Sequence, residues 1–318
     1  AFTNNSGSSL TLGGNLNFNA DNSIFNNHST VAITGDITAN NTDDDDNQVI
    51  NNSSAILSFT NMDGLPTGTG DGGFLTILNG GTINQSGTFL DIQNSTDTSN
   101  DINNLSGGIW NYSGTGHDTN LRLFANNGIN DFNYTRNGAQ NIITPVAGNG
   151  YSNISLETAG AKAALANFNV YGDWSRSGAA SFTPAGFTVT LSGSRAQSVT
   201  AAGSETFAGL TIDNDFGVSP QITTNNDVTV TGVLTMTDGN VNLNGNSITL
   251  SNSTAGALLH SGGWMYGGSV ARARPASTTI AVGSDHSLFP LGSAWDWRPF
   301  YAGQTNGTTA GTMTVTHT

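Results

Sequence analysis

Short stretches in which apolar and polar residues alternate recur along the chain. Examples are residues 9–12 (SLTL), 30–33 (TVAI), 74–78 (FLTIL), 188–191 (TVTL) and 247–250 (SITL). A period of two predicts strands with one buried face. Gly-Gly, Asn-Gly, Asp-Gly and Ser-Gly pairs separate these stretches and favour tight corners. Two all-β architectures fit this pattern: hairpins packed as a sandwich, or a solenoid in which each corner turns the chain to a new face.

An internal repeat favours the solenoid. Residues 133–190 and 190–250 align with a period of roughly 57 to 60 residues, which fits several β-helix turns per repeat. The aligned pairs include Ala139 with Ala196, Gln140 with Gln197, Tyr151 with Phe207 and Ile154 with Leu210. We therefore predict a right-handed parallel β-helix over residues 1–259. Aligned apolar residues should be buried alike, Asn, Thr and Ser should form ladders outside, and Trp174, which has no aromatic counterpart, should cover a loop or coil edge.

The composition changes near residue 260. Trp264, Tyr266, Trp295 and Trp297 all lie in the last sixty residues, together with three of the seven prolines. This density indicates a separate packing unit, and we predict a small antiparallel β module, similar to a sandwich, over residues 260–318. The chain stops inside a strand-like run, residues 311–316, so we expect the native protein to continue beyond it.

The charge balance excludes several classes of protein. Charged residues make up 9% of the 318 residues, and the net charge is −14. No basic surface exists to neutralise a phosphate backbone, so nucleic acid is excluded as a partner. No apolar run approaches the roughly 18 residues that would span a bilayer, and we predict no membrane span. The chain contains no Cys, which excludes disulfides, zinc thiolates and a thiol nucleophile.

Two regions resemble a known family of surface proteins. The first region resembles the repeats of large proteins exported by the type IX secretion system of Bacteroidetes-type bacteria. It consists of residues 171–178 (YGDWSRSG) followed by residues 187–200 (FTVTLSGSRAQSVT). Residues 267–272 (GGSVAR), 289–292 (FPLG) and 297–299 (WRP) resemble the β module that follows the solenoid in that family. The resemblance implies an extracellular β-helical adhesin or filament-like structural protein, secreted or attached to the cell surface.

One acidic run is a candidate metal site. Asp43, Asp44, Asp45 and Asp46 place four carboxylates in one predicted loop, and calcium takes six to eight oxygen ligands of this kind. The spacing of an EF-hand is missing, with no Gly at the turn and no Glu at its end. The pattern therefore favours a solvated acidic loop over a calcium site, and we predict no other cofactor.

Glycan cleavage is the main catalytic alternative, because polysaccharide lyases and related hydrolases also use parallel β-helices. Such chemistry needs two carboxylates around a glycosidic bond, or a basic residue near calcium. Asp213 and Asp215 are two residues apart, and Asp131 and Asp173 stand in similar strand-turn contexts. In corners, however, Asp commonly satisfies backbone groups. The repetition shows no local departure that would indicate a catalytic groove, so we predict a chain that is not an enzyme.

The pair Trp295 and Trp297, on either side of Asp296, is the remaining candidate site. Tryptophans can stack on sugar rings, but in a small module they more commonly fill the core or its junction with a neighbouring domain. The sequence as a whole predicts a non-catalytic structural or adhesive segment of a bacterial cell-surface or filament protein. Its expected partners are a cell-surface or extracellular glycan, a protein, or neighbouring copies of itself.

Overall fold

The computed structural model describes residues 1–20, 22–39, 46–63, 74–90, 101–115, 122–124, 129–145, 149–306 and 309–317. Within these residues the only helices are two 3-10 turns, Ala255–Ala257 and Asp285–Ser287. The chain divides into two compact units. The first unit holds Ala1–Leu165 and Ala179–Ser181, and the second holds Ala166–Gly178 and Phe182–Thr318.

The first unit is built from parallel sheets, and each turn of the chain adds a strand to one sheet after another. Phe2 pairs with Phe25, Ser9 with Thr30 and Leu16 with Ile37, so each strand pairs with a strand one turn later rather than with its neighbour in sequence. The first sheet contains Phe2–Asn4, Ile24–Asn27, Asp46–Asn51, Phe74–Asn79, Asp101–Asn104 and Arg122–Phe124. The second contains Ser9–Leu12, Thr30–Ile33, Ile56–Phe59, Thr82–Gln85, Ile109–Tyr112, Asp131–Tyr134 and Asn153–Leu156. The third contains Leu16–Phe18, Ile37–Ala39, Met62–Asp63 and Phe89–Leu90. The remaining strands are Gly150–Tyr151, and Gln140–Asn141 paired with Ala159–Ala163.

The second unit repeats this arrangement. One sheet contains Phe168–Val170, Thr188–Gly193, Gly209–Asn214, Leu234–Asp238 and Leu258–His260. Another contains Trp174–Arg176, Gln197–Ala201, Ile222–Thr224, Val241–Asn242 and Met265–Tyr266. A third contains Glu205–Phe207, Val228–Val230, Ser247–Leu250 and Gly268–Arg274, and strand Ala179–Thr183 has residues in both units. The strand pairing confirms the predicted parallel β-solenoid.

The parallel pairing continues past residue 259, the predicted end of the solenoid. Ile248 pairs with Val270 in the parallel sense, so Gly268–Arg274 is still a solenoid strand. At the start of this strand the backbone lies close to the preceding turn, since a Cβ atom at Gly268 would lie 2.2 Å from the carbonyl oxygen of Asn246. Antiparallel structure follows: Gly311–His317 pairs with Gly268–Arg274, and Leu288–Phe289 pairs with Phe300–Tyr301. The predicted antiparallel C-terminal module is therefore present, and it shares strand Gly268–Arg274 with the solenoid.

Side chains alternate between the interior and the surface, as the period of two predicts. The first unit buries a cluster of stacked rings in which Trp110 and Phe132 lie 5.9 Å apart, centroid to centroid. In the second unit Trp174 is fully buried and packs edge-on against Phe182 and Phe207. The expectation that Trp174 covers a coil edge is wrong, because its side chain points inward from a central strand.

A ladder of six asparagines runs through the interior of the first unit. Each side-chain amide donates to the carbonyl oxygen of the next asparagine side chain, at distances of 2.8 to 3.1 Å. The members are Asn4, Asn27, Asn51, Asn79, Asn104 and Asn130, and all six are buried. Asn4, Asn27, Asn51, Asn79 and Asn104 also donate to a main-chain carbonyl in a following turn.

The asparagine ladder corrects the prediction that such ladders lie only outside. A buried amide is stable because its hydrogen bonds are satisfied within the stack. Asparagine can therefore occupy an interior position wherever every turn supplies the same residue at the same place.

Residues aligned by the internal repeat have matching environments. Gln140 donates through Nε2 to the carbonyl oxygens of Tyr112 and Gly114, at 2.8 and 2.9 Å. Gln197 donates in the same way to those of Val170 and Gly172, at 2.8 and 2.6 Å. Each glutamine thus bridges two carbonyls at a corner of an earlier turn. The aligned residues Tyr151, Phe207, Ile154 and Leu210 are all buried.

Candidate functional site

The most exposed large aromatic group lies in the C-terminal part of the second unit. Trp295 is 85% exposed and Trp297 is 37% exposed. We call these two residues the tryptophan platform. The expectation that these residues fill the core or its junction with the solenoid is wrong for Trp295, which lies in a tight turn and is exposed. Trp297 packs on His260, the last residue of solenoid strand Leu258–His260. Burying an indole releases much free energy, so an indole left in water is an available contact surface.

The platform is held by ordered contacts rather than by a loose loop. The ring of Trp297 stacks on the His260 ring, with centroids 4.8 Å apart and an interplanar angle of 12°. Trp264 lies 6.4 Å from Trp297 and donates its indole N–H to the Ser293 carbonyl at 2.6 Å. Its neighbour Gly292 has no room for a side chain, because a Cβ there would lie 2.3 Å from the Trp264 ring.

The turn that carries Trp295 is closed by one serine. Ser293 donates its main-chain N–H to the Asp296 carbonyl at 2.8 Å, and its hydroxyl accepts the main-chain N–H groups of Trp295 and Asp296 at 3.3 and 3.0 Å. Asp296 also pairs with Arg298 at 3.2 Å, with both side chains more than 60% exposed. Exposed ion pairs contribute little to stability, so these two side chains remain available to hydroxyl groups of a ligand.

The carboxylates considered for glycan cleavage serve mainly in corners. Asp173 accepts the main-chain N–H and the hydroxyl of Ser198 at 2.7 and 2.9 Å. Asp227, which was not one of these candidates, makes the same two bonds with Ser247, at 2.8 and 2.9 Å. Asp131 accepts the side-chain amide of Asn153 at 2.9 Å. These carboxylates satisfy donors in the following turn, which is the structural use that the sequence pattern favours.

Asp213 and Asp215 both lie exposed, on either side of buried Asn214. The strand pairing also places Asp238 beside Asp213 on the next turn, across a register shift. The sequence did not pair Asp213 with Asp238, because the two residues belong to strands 25 positions apart. Any carboxylate chemistry on this sheet would therefore draw on Asp213 together with Asp238 or Asp215.

The acidic run cannot be placed in full. Asp43, Asp44 and Asp45 lie outside the described residues, as does the side chain of Asp46, whose backbone begins strand Asp46–Asn51. Within the described part of the chain, no group of three or more His, Asp or Glu side chains is arranged to hold a metal ion. The solvated acidic loop therefore stays the prediction for this run, with calcium as the alternative.

Two buried arginines, which the sequence reading did not single out, organise the loop before the platform. Arg272 donates to the main-chain carbonyls of Asp285 and Leu288, and Arg274 donates to that of His286 at 2.6 Å. Burial lowers the pKa of Arg272 to about 10, so it stays charged at neutral pH. Burial lowers the pKa of His286 as well, and the nearby charges of both arginines add to that shift.

Comparison of the chain with family models, with curated proteins and with solved structures found no match. Over the described residues, the structure contains no helix with the length and apolar character needed to cross a membrane.

Proposed function

We propose that this chain is a non-catalytic structural and adhesive segment of an extracellular bacterial surface or filament protein, and that the tryptophan platform is its contact surface for glycans. The observation that carries this proposal is the exposure of Trp295 beside the stacked pair Trp297 and His260. The resemblance of residues 171–200 and 267–299 to type IX surface proteins supports the extracellular assignment.

The platform suits a sugar ring for two reasons. A pyranose has a face of C–H bonds that packs on an aromatic ring, and its equatorial hydroxyls need polar neighbours. Trp295 offers the ring, while Asp296 and Arg298, one and three residues along the chain, offer an exposed carboxylate and guanidinium. Because Trp297 and the Ser293 turn are already ordered, binding loses little side-chain entropy.

The scaffold suits a load-bearing role. Sheet hydrogen bonds join successive turns, the asparagine ladder adds side-chain bonds between turns of the first unit, and corner contacts such as those of Asp173 and Gln197 add them in the second. The net charge of −14 favours neutral over anionic glycans, because like charges repel. We therefore expect neutral cell-surface polysaccharides as ligands.

Binding to a panel of neutral polysaccharides, measured by affinity electrophoresis and calorimetry, tests the proposal. Cellulose, mannan, β-1,3-glucan and chitin are suitable neutral members, with alginate as the anionic member. We expect Trp295→Ala and Trp297→Ala each to weaken binding by about tenfold or more, equivalent to at least about 1.4 kcal/mol. Val282→Ala is the matched control, because Val282 is 71% exposed in the same unit and lies outside the platform.

Two outcomes would contradict the proposal. A wild-type chain that binds no member of the panel, or a Trp295→Ala variant that binds as tightly as the wild type, would remove the platform as a glycan site. Release of new reducing ends or unsaturated products, abolished by Asp213→Asn, would establish the alternative, a β-helical polysaccharide lyase or glycoside hydrolase.

A further inference from the structure

A groove of about 390 Å³ lies on the first unit, and none of the residues that line it belongs to the tryptophan platform. The ten described residues that line it carry no charge, and most of them end in an amide or a hydroxyl. Phe59 and Ile33 also line it and are nearly fully buried. Both side chains face the interior, so the surface of the groove is formed by neutral polar side chains, which make up its walls.

One wall is a column of side chains on successive turns. Asn84 pairs in register with Ser58 on one side and with Asn111 on the other. The Asn84 amide donates to Ser58 Oγ at 3.3 Å, and the Asn111 amide donates to Asn84 Oδ1 at 2.9 Å. An amide nitrogen carries two N–H bonds, and each uses one within the column. The second N–H of each amide is available to a ligand.

The other wall is a column of hydroxyls at the corner that follows each strand. Thr60 donates to the Thr34 carbonyl at 3.1 Å, Ser86 to that of Phe59 at 3.4 Å, and Ser113 to that of Gln85 at 3.3 Å. A hydroxyl has one hydrogen to donate and two lone pairs to accept with. Because each hydrogen is directed to the main chain, these hydroxyls face the groove as acceptors.

We propose that this groove binds a neutral, extended oligosaccharide whose successive sugar residues lie along successive turns. Donor amides and acceptor hydroxyls stand side by side and repeat every turn, roughly 4.8 Å apart. That spacing is close to the length of one pyranose residue in an extended polysaccharide. Sugar hydroxyls both donate and accept, so each sugar residue can bond to both walls. The site uses its own residues and does not depend on the tryptophan platform.

The test combines nuclear magnetic resonance and calorimetry on the full chain with cellohexaose, xylohexaose, mannohexaose and laminarihexaose as probes. We expect at least one probe to shift the side-chain amide signals of Asn84 and Asn111. Ser86→Trp should fill the groove from an exposed position and abolish this binding. Asn111→Asp, which is nearly the same size but places a negative charge in the donor column, should weaken it by roughly fivefold to tenfold.

Ser251→Trp is the matched control, because Ser251 lies at a corner of the second unit and its hydroxyl donates to the Val230 carbonyl at 3.4 Å, as that of Ser86 does to Phe59. It should bind like the wild type. The proposal is overturned if no probe shifts the Asn84 and Asn111 amides, or if both Ser86→Trp and Asn111→Asp retain wild-type affinity. The double variant Trp295→Ala/Trp297→Ala separates the two sites, since it should leave these amide shifts unchanged.

Discussion

The indole N–H of Trp174 donates to Oε2 of Glu205 at 3.0 Å, in the interior of the second unit. The same oxygen accepts Arg176 Nε at 2.9 Å, and Glu205 is only 2% exposed. Arg176 donates in addition to the Ser204 carbonyl at 2.7 Å. One carboxylate therefore satisfies both a buried indole and a nearly buried guanidinium, and it ties two turns of the solenoid together.

We expect Glu205→Ala to lower the free energy of unfolding of the second unit by about 3 to 5 kcal/mol, because it removes the buried carboxylate that accepts both the Trp174 indole N–H and Arg176 Nε. Urea unfolding followed by near-ultraviolet circular dichroism measures the loss. The matched control is Glu157→Ala, since Glu157 is the other glutamate and its carboxylate accepts the hydroxyl of part-buried Ser155 in the first unit, not a buried indole and a guanidinium. A loss below about 1 kcal/mol for Glu205→Ala would show that the carboxylate is not a stabilising link.

Substitution of an asparagine at the centre of the asparagine ladder should destabilise the first unit. Asn79→Ala removes a donor to Asn104 and to the Ile109 carbonyl and an acceptor for Asn51. We expect a loss of about 2 to 4 kcal/mol in the free energy of unfolding, because Asn51, Asn104 and the Ile109 carbonyl each lose a hydrogen bond.

Trp110 fluorescence during urea unfolding reports on the first unit, in which it is the single tryptophan. The control is Asn133→Ala, because Asn133 is half-buried on an outer column and donates to Asn111. Equal losses for the Asn79 and Asn133 variants would contradict a special role for the interior ladder.

Alkaline pH should destabilise the first unit through a buried tyrosine pair. The hydroxyls of Tyr134 and Tyr151 lie 2.5 Å apart, and burial raises the pKa of both well above the usual value of 10.0. The folded state keeps these protons when the unfolded state loses them, so stability is fully present below about pH 10 and falls as the pH rises further. The limiting slope for two groups is about 2.7 kcal/mol per pH unit.

Urea unfolding at several alkaline pH values measures this slope, and tyrosinate absorbance shows which tyrosines ionise before unfolding. Tyr151→Phe should reduce the slope by about half. Tyr301→Phe is the control, because Tyr301 is 39% exposed and lies in the second unit. Ionisation of Tyr134 and Tyr151 in the folded chain near pH 10 would contradict the prediction.

Lys162, the single lysine of the chain, should resist acylation while the protein is folded. Its side chain is fully buried, and Nζ donates to the carbonyl oxygens of Arg136, Gly138 and Ala159 at 2.5, 3.2 and 3.4 Å. We expect mass spectrometry after treatment with an amine-reactive ester to show a labelled amino terminus and an unlabelled Lys162. Labelling of Lys162 should begin at the urea concentration at which Trp110 fluorescence shows that the first unit unfolds. Rapid labelling in buffer would show that the corner around Lys162 opens locally.

The sequence patterns predicted the architecture because alternation and corner residues are local signals. Alternation assigned the strands, and the alignment of Gln140 with Gln197 identified residues that bridge carbonyls in the same way. The end of the solenoid was harder to place, since strand Gly268–Arg274 belongs to both the last parallel turn and the antiparallel module. The composition changes near residue 260, whereas the parallel strand pairing continues through Gly268–Arg274.

The interior ladder and the exposed platform could not be predicted from alternation. In a chain rich in Asn, the recurrence of Asn27, Asn51 and Asn79 at intervals of about one turn does not stand out, and polarity alone places such residues outside. The density of tryptophans marked a new packing unit near Trp264 and Trp295 but contained no information on which ring faces water. That depends on the Ser293 turn, whose bonds form only in the folded chain.

The asparagine ladder also has a direction. Every amide from Asn4 to Asn104 donates to the asparagine that follows it and none donates to the side chain before it. Their dipoles consequently point the same way and add, as those of peptide groups do along a helix. Each bond polarises its neighbour, which makes the middle of the row the hardest place to break. The interior of the first unit thus contains a net dipole along the row, and it is made entirely of uncharged side chains.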